Sequence, residues 1–163
     1  MAEKTTVTPD LDGKQLTVER VFDAPRDLVF KAWSEAERLK QWWGPKTWPL
    51  VYCEVDFQPG GVWHYAMQGP DGTKSWGKAV YGEIVKPSRI VFTDGFSDEA
   101  GNVNESMPTM MIAVDFIDEG GKTRVVSRAE FASREDLEAL IKMGMLEGLK
   151  ETWDLLEEYL ARA

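Results

Sequence analysis

Residues 133–163 read SREDLEALIKMGMLEGLKETWDLLEEYLARA, and the fold depends on how this stretch is parsed. Ser133 with Asp136 three positions on has the spacing of a capping box in its acidic form. At about 100° per residue, Leu137, Ile141, Gly144, Met145, Gly148, Thr152, Leu155, Leu156 and Tyr159 share one broad face. Asp136, Glu147, Lys150, Glu151, Asp154, Glu157 and Glu158 share the other. The pattern predicts one continuous amphipathic helix from Ser133 to Ala163. Gly144, Gly148 and Thr152 form a small-residue stripe on its apolar face. Each glycine inside a helix costs about 1 kcal/mol relative to alanine, so two of them require a local reason. Either another backbone approaches closely, or the space is for a ligand.

Upstream of this helix the hydrophobic period changes. Val51, Cys53, Val55 and Phe57 alternate with Tyr52, Glu54, Asp56 and Gln58, the pattern of a half-buried strand. Pro59-Gly60-Gly61 turns the chain into Val62–Met67, with Trp63, Tyr65 and Met67 on one side. Gly69-Pro70-Asp71-Gly72 turns it again into Ser75–Val85, followed by a short strand at Arg89–Asp94. Gly95–Pro108 reads as a long loop, of a length usually reserved for function or mobility. A hairpin, Thr109–Asp118 with Lys122–Phe131, leads to the final helix.

At the other end, residues 1–14 read as a flexible lead, and Leu16–Phe22 as a strand that places Leu16, Val18 and Arg20 on one side. Two short helices follow: one begins near Asp23 and Pro25, the other is capped by Ser34, and Gly44-Pro45 closes the pair. Consecutive strands joined by tight turns give an antiparallel sheet with one buried face. Only the C-terminal helix, roughly 28 residues at ~1.5 Å each, is long enough to cover it. The class is α+β, with the sheet wrapped around that helix, and residues 15–163 form one domain.

Composition narrows the functional classes. With 43% apolar residues, seven Trp, seven Phe and four Tyr, the chain has ample material for a core. A net charge of −9 disfavours nucleic acid and anionic membrane surfaces. No apolar run is long enough to span a bilayer, and the polar N-terminus lacks the apolar segment of a signal peptide. The single cysteine, Cys53, excludes an intramolecular disulfide, and a cytoplasmic location is expected. No cofactor or metal is expected.

Several motifs in order carry a family resemblance: Trp42-Trp43-Gly44-Pro45, then Glu54-Val55-Asp56-Phe57-Gln58-Pro59-Gly60-Gly61-Val62-Trp63, then Gly69-Pro70-Asp71-Gly72. Gly82-Glu83-Ile84-Val85, Pro87, Arg89-Ile90-Val91-Phe92-Thr93 and Met143-Gly144-Met145-Leu146-Glu147-Gly148 continue in register. From about Leu16 to Leu160 the chain resembles the Activator of Hsp90 ATPase homologue-like family, of the START-related, Bet v 1-like (SRPBCC, polyketide cyclase) superfamily. The resemblance implies a helix-grip fold: a seven-stranded antiparallel sheet curled around a long C-terminal helix, with two short helices after the first strand. It also implies either a cavity for lipid-, steroid- or polyketide-like molecules, or a role beside the Hsp90 chaperone in stress response. A few superfamily members are cyclases or hydrolases. Fold does not fix function here.

Among chemistry-bearing residues, His64 has opposite strand parity to Trp63 and Tyr65, so it is expected to face outward without metal-ligating partners. Cys53 is expected to be a small buried hydrophobe. Glu83 and Asp94 lie in or at the end of apolar strands. Either one, if inward-facing, would be desolvated and suited to acid or base work. Their facing stays open because Ser75–Val85 alternates poorly. The aromatics and methionines exceed simple filler. Trp43, Trp48, Trp63, Tyr65, Met67, Trp76, Tyr81, Phe92 and Met110, set against Gly144, Met145, Gly148 and Thr152, are the expected lining of a pocket.

The first expectation is therefore a non-enzymatic pocket for a small apolar or amphipathic molecule that enters near the Gly95–Pro108 loop. A chaperone-interaction module is the second, and a cavity enzyme using Glu83 or Asp94 the third. Monomer and homodimer both remain open.

Overall fold

The computed structural model describes residues 5–163. In chain order its elements are β1 (Thr6–Asp10), β2 (Gln15–Phe22), α1 (Arg26–Ser34), α2 (Ala36–Trp42), β3 (Leu50–Val55), β4 (Val62–Gln68), β5 (Lys74–Val85) and β6 (Arg89–Ser97). They are followed by β7 (Thr109–Glu119), β8 (Lys122–Phe131), α3 (Arg134–Lys142) and α4 (Met145–Arg162). The strands form one antiparallel sheet in the order β1-β2-β8-β7-β6-β5-β4-β3. From β3 to β8 each strand pairs with the next in sequence, as tight turns require, and β2 closes on the free edge of β8.

The sheet has eight strands where seven were expected. The extra one is β1, which falls within the stretch read as a flexible lead and pairs with β2 from Thr6↔Glu19 to Asp10↔Gln15. Its turn is held by Asp10, whose Oδ1 accepts from the Gly13 amide at 3.0 Å. Pro9, which lacks an amide donor, is tolerated because β1 is an edge strand. The first four residues of the expected lead lie outside the described residues.

The second correction concerns the C-terminal helix, which is two helices. Ser133 is the N-cap, accepting from the Asp136 amide at 3.1 Å. The helix then ends at Lys142, and Gly144 sits at φ +92, ψ 20 before α4 begins. That left-handed backbone is the conformation in which glycine has no Cβ penalty and other residues do. Gly144 is thus a helix terminator, not a member of a helical stripe.

The short helices also start differently from expectation. Pro25 precedes α1 as its N-cap and its carbonyl accepts from the Leu28 and Val29 amides, while Asp23 makes no cap. Ser34 ends α1 by turning its hydroxyl back to the Lys31 carbonyl, and extended Glu35 starts α2.

The core lies between the concave sheet face and α1, α2 and α4. Leu16, Val18, Phe22, Phe92, Val114, Phe116, Val125 and Ala129 from the sheet meet Trp33, Trp42, Trp153 and Leu156 from the helices. The indoles pack edge to face, with Trp33 centred 5.0 Å from Trp42 and 5.9 Å from Trp153, a favoured arrangement of ring quadrupoles. Among the described residues no helix is long and apolar enough to cross a membrane.

Candidate functional site

Between the open end of the sheet and the α3–α4 break lies a cavity of about 350 Å³, within the range of roughly 300–1,000 Å³ of small-molecule sites. Its inner wall is aromatic: Trp33 from α1, Trp43 after α2, Tyr65 from β4, Phe92 from β6 and Trp153 from α4. Met110 and Ile112 of β7 add to that wall, and the helical side is Leu140, Met143, Gly144, Met145, Gly148 and Thr152. Met143, 61% exposed, stands at the mouth.

The register explains which residues face in. Tyr65 pairs with Gly77, and Asp94 pairs with Ala79 and Met110. Alternation along β6 buries Ile90, Phe92 and Asp94 on the concave side. Asp94 is therefore a buried carboxylate in an apolar wall, and the Tyr65 hydroxyl donates to both its oxygens, at 3.0 and 3.1 Å. Burial raises its pKa to about 7, although the Tyr65 hydroxyl and the Gly95 amide favour the ionised form. The Tyr65 phenol, itself buried beside that carboxyl, is shifted upward.

Gly77 makes this pair possible. A Cβ there would lie 2.4 Å from Tyr65 Cζ and 2.5 Å from its oxygen. Gly77→Ala is expected to displace the phenol and destabilise the fold by about 1–3 kcal/mol. Chemical denaturation checks this, and an unchanged unfolding midpoint would show that the ring has room to yield.

The expected pocket residues divide into three groups. Trp43, Tyr65, Met67, Phe92, Met110, Gly144, Met145, Gly148 and Thr152 all border the cavity. Trp48, Trp63 and Tyr81 do not. Trp48 packs against Gly69 on the loop before β3. Trp63 lies behind the wall between Trp43 and Phe92, and Tyr81 lies further along against Phe57 and Phe92. Trp76 also differs. It borders the cavity, yet its pairing with Ala66 and Ser97 puts its ring on the outer face, centred 5.0 Å from His64 and 5.3 Å from Tyr52.

Of the two carboxylates, Glu83 is exposed and accepts from Arg89 Nε at 2.9 Å, so only Asp94 faces the cavity. The poor alternation of β5 has a cause: the register slips between Tyr81 and Ile84. His64 faces outward, its Nε2 3.1 Å from the Asp98 carbonyl oxygen. Cys53 is buried, and burial pushes its thiol up to about 11, which leaves it a small hydrophobe at neutral pH. Among the described residues no three His, Cys, Asp or Glu side chains converge on a metal position.

Trp33, Trp153, Leu140 and Ile112 complete the wall without having been expected there. Among the described residues the buried indole N–H of Trp33 has no hydrogen-bond partner.

Comparisons with known proteins agree with this architecture. The sequence model for the family described as Activator of Hsp90 ATPase homolog 1-like protein matches residues 23–161. A solution structure of a protein from Arthrobacter aurescens is 31% identical and superposes with a TM-score of 0.91, covering 97% of this chain and 92% of that one. The crystal structure of Ms6760 from Mycobacterium smegmatis is 32% identical, with a TM-score of 0.87 and 96% of each chain covered. A solution structure from Staphylococcus epidermidis is 31% identical, with a TM-score of 0.80, covering 96% of this chain and 94% of that one. No curated protein matches in sequence.

Proposed function

The chain belongs to the Activator of Hsp90 ATPase homolog 1-like family, and from that premise we propose that it binds a small apolar or amphipathic molecule between the sheet and the α3–α4 break. The observation that carries this reading is space kept open where helix stability argues against it. A Cβ on Gly148 would meet only Pro45 Cγ, at 4.0 Å. Gly144 is accounted for by its left-handed backbone, but for Gly148, inside α4, close backbone approach is absent and room remains. At about 350 Å³ the cavity is more than twice the ~150 Å³ that takes benzene in an apolar engineered site. A ring with an attached chain fits that volume.

Gly148→Leu tests it. The side chain would project into the cavity from the first turn of α4, and the helix would gain about 1 kcal/mol of intrinsic propensity. The expected result is a variant at least as stable as wild type by thermal melting. It should no longer be stabilised by any member of a hydrophobic compound library that raises the wild-type melting temperature. Native mass spectrometry should then show the variant free of any small molecule that co-purifies with wild type. A wild-type protein that no apolar compound stabilises would remove the reading.

A second reading, proton transfer on a bound substrate, is favoured by one observation: Asp94 faces the cavity with its pKa raised to about 7, where a carboxyl serves as acid or base near neutrality. It requires that Asp94→Asn abolish turnover of a substrate that the variant still binds.

A further inference from the structure

We propose that the cavity is built for an amphipathic cation, an alkyl- or arylalkyl-ammonium whose charged head meets Asp94 while its apolar body lies among the indoles. The inference rests on the cavity being a ligand site, and it adds the chemical class of the ligand.

Three observations converge. The first is the charge inventory of the wall. Among the described residues Asp94 is its one ionisable carboxylate, and no Arg, Lys or His borders the cavity. Among the described residues no cationic side chain pairs with Asp94, and the groups acting on it are the Tyr65 hydroxyl and the Gly95 amide. A buried carboxylate without a counter-cation is an unfavourable arrangement that an ammonium ligand would complete. Its two oxygens share one Tyr65 hydroxyl, which leaves lone pairs for N–H donors.

The second observation is the aromatic wall. Trp33, Trp43, Trp153, Phe92 and Tyr65 line the same cavity as Asp94, and ring faces attract cations, most strongly when water is excluded. The third is long range. The chain carries a formal charge of −9, which draws cations towards it and repels anions.

One feature pulls the other way. The first turn of α4 opens beside the mouth, with Gly144 as a cap that offers no side-chain acceptor, and helix N-termini favour anions. Gly144 is exposed whereas Asp94 is buried, so the amides act at the rim and the carboxylate acts in depth. An anionic head directed inward would meet a like charge.

Three probes with one skeleton decide between the charge classes: phenylbutylamine, phenylbutanol and phenylbutyrate, titrated calorimetrically into the full chain at pH 8. The amine is expected to bind at least tenfold more tightly than the alcohol, with the butyrate weakest. In Asp94→Asn the amine should lose about tenfold while the alcohol stays within about twofold. The alcohol or the butyrate binding as tightly as the amine to wild type would overturn the cation assignment and leave the apolar cavity standing. An unchanged amine-to-alcohol ratio in the variant would do the same. Butylbenzene is the control for the cavity itself: if neither it nor any of the three binds, both readings fall together. The wild-type series carries the decision even if the variant folds poorly.

Discussion

Replacing Arg20 with alanine is expected to remove about 3 kcal/mol of stability, roughly a 10 °C drop in melting temperature for a domain of this size. Arg20 sits on the concave side of β2 with its side chain fully buried. Its guanidinium donates to Asp154 at 2.6 Å and Thr5 at 3.1 Å, and lies 2.7 Å from Glu157 and 5.1 Å from the Phe22 ring centre. One side chain thus ties α4 to β2 and to the chain just before β1. Alanine would leave a void as well as three broken polar contacts and a lost cation–ring contact. Methionine separates the two contributions. Asp154 and Glu157 keep 64% and 40% of their side-chain surface in solvent, so both can be hydrated once the arginine is gone. Arg20→Met, which refills the volume, should come within about 1 kcal/mol of wild type, because the two acids it leaves behind are open to water and no cavity forms. Urea unfolding of both variants checks this. An alanine variant as stable as the methionine one would show that packing around Arg20 contributes little.

That contact also marks the limit of what the sequence makes legible. Alternation in β2 places Arg20 on the inner side with Leu16 and Val18, which is where it is. Asp154 and Glu157, however, read as solvent-facing from helical periodicity alone. Their partner is 134 positions away from Asp154, and no local pattern encodes such a pairing. The turn-rich meander from β3 to β8 was legible because hairpins are local, whereas the β2–β8 pairing was not. The break at Gly144 was also encoded locally, in a glycine that follows Lys142 and Met143 with no apolar reason to be there. Periodicity continuing through it on both sides hid the terminator, since α3 and α4 each present an apolar face to the same interior. Trp153 was overlooked because a helix gripped by a curved sheet buries more than one face, and Trp33 because its neighbours Phe116 and Trp153 are far away in sequence. Trp76 was misplaced because parity within a strand requires knowing which parity faces in, and the Tyr81/Ile84 slip in β5 obscures that. The same slip left Asp94 undecided, although its strand mates Ile90 and Phe92 already point the way.

Asp94→Asn should raise stability at alkaline pH, and the size of the gain should depend on pH in a defined direction. The folded pKa is about 7, against about 3.9 in an unfolded chain. Between these values the folded state holds a proton that the unfolded state has lost, so the wild-type fold loses stability as pH rises from about 4 to 7 and levels off above that. At most about 4 kcal/mol is at stake. Other carboxylates titrate in the same window, but they are common to both proteins and cancel in the difference. The asparagine variant keeps an acceptor for the Tyr65 hydroxyl and has no charge to bury. The gap between the two unfolding free energies should therefore widen by about 2–3 kcal/mol from pH 5 to pH 8 in favour of the variant. Parallel stability curves would mean that Asp94 reaches water or a counter-charge in the folded state. Adding phenylbutylamine should narrow the gap at pH 8 for wild type alone, because the cation stabilises the carboxylate that the empty cavity leaves uncompensated. Stability forgone in the free protein would then reappear as selectivity when the ligand is bound, which gives a physical reason for a carboxyl at that position in an otherwise apolar wall.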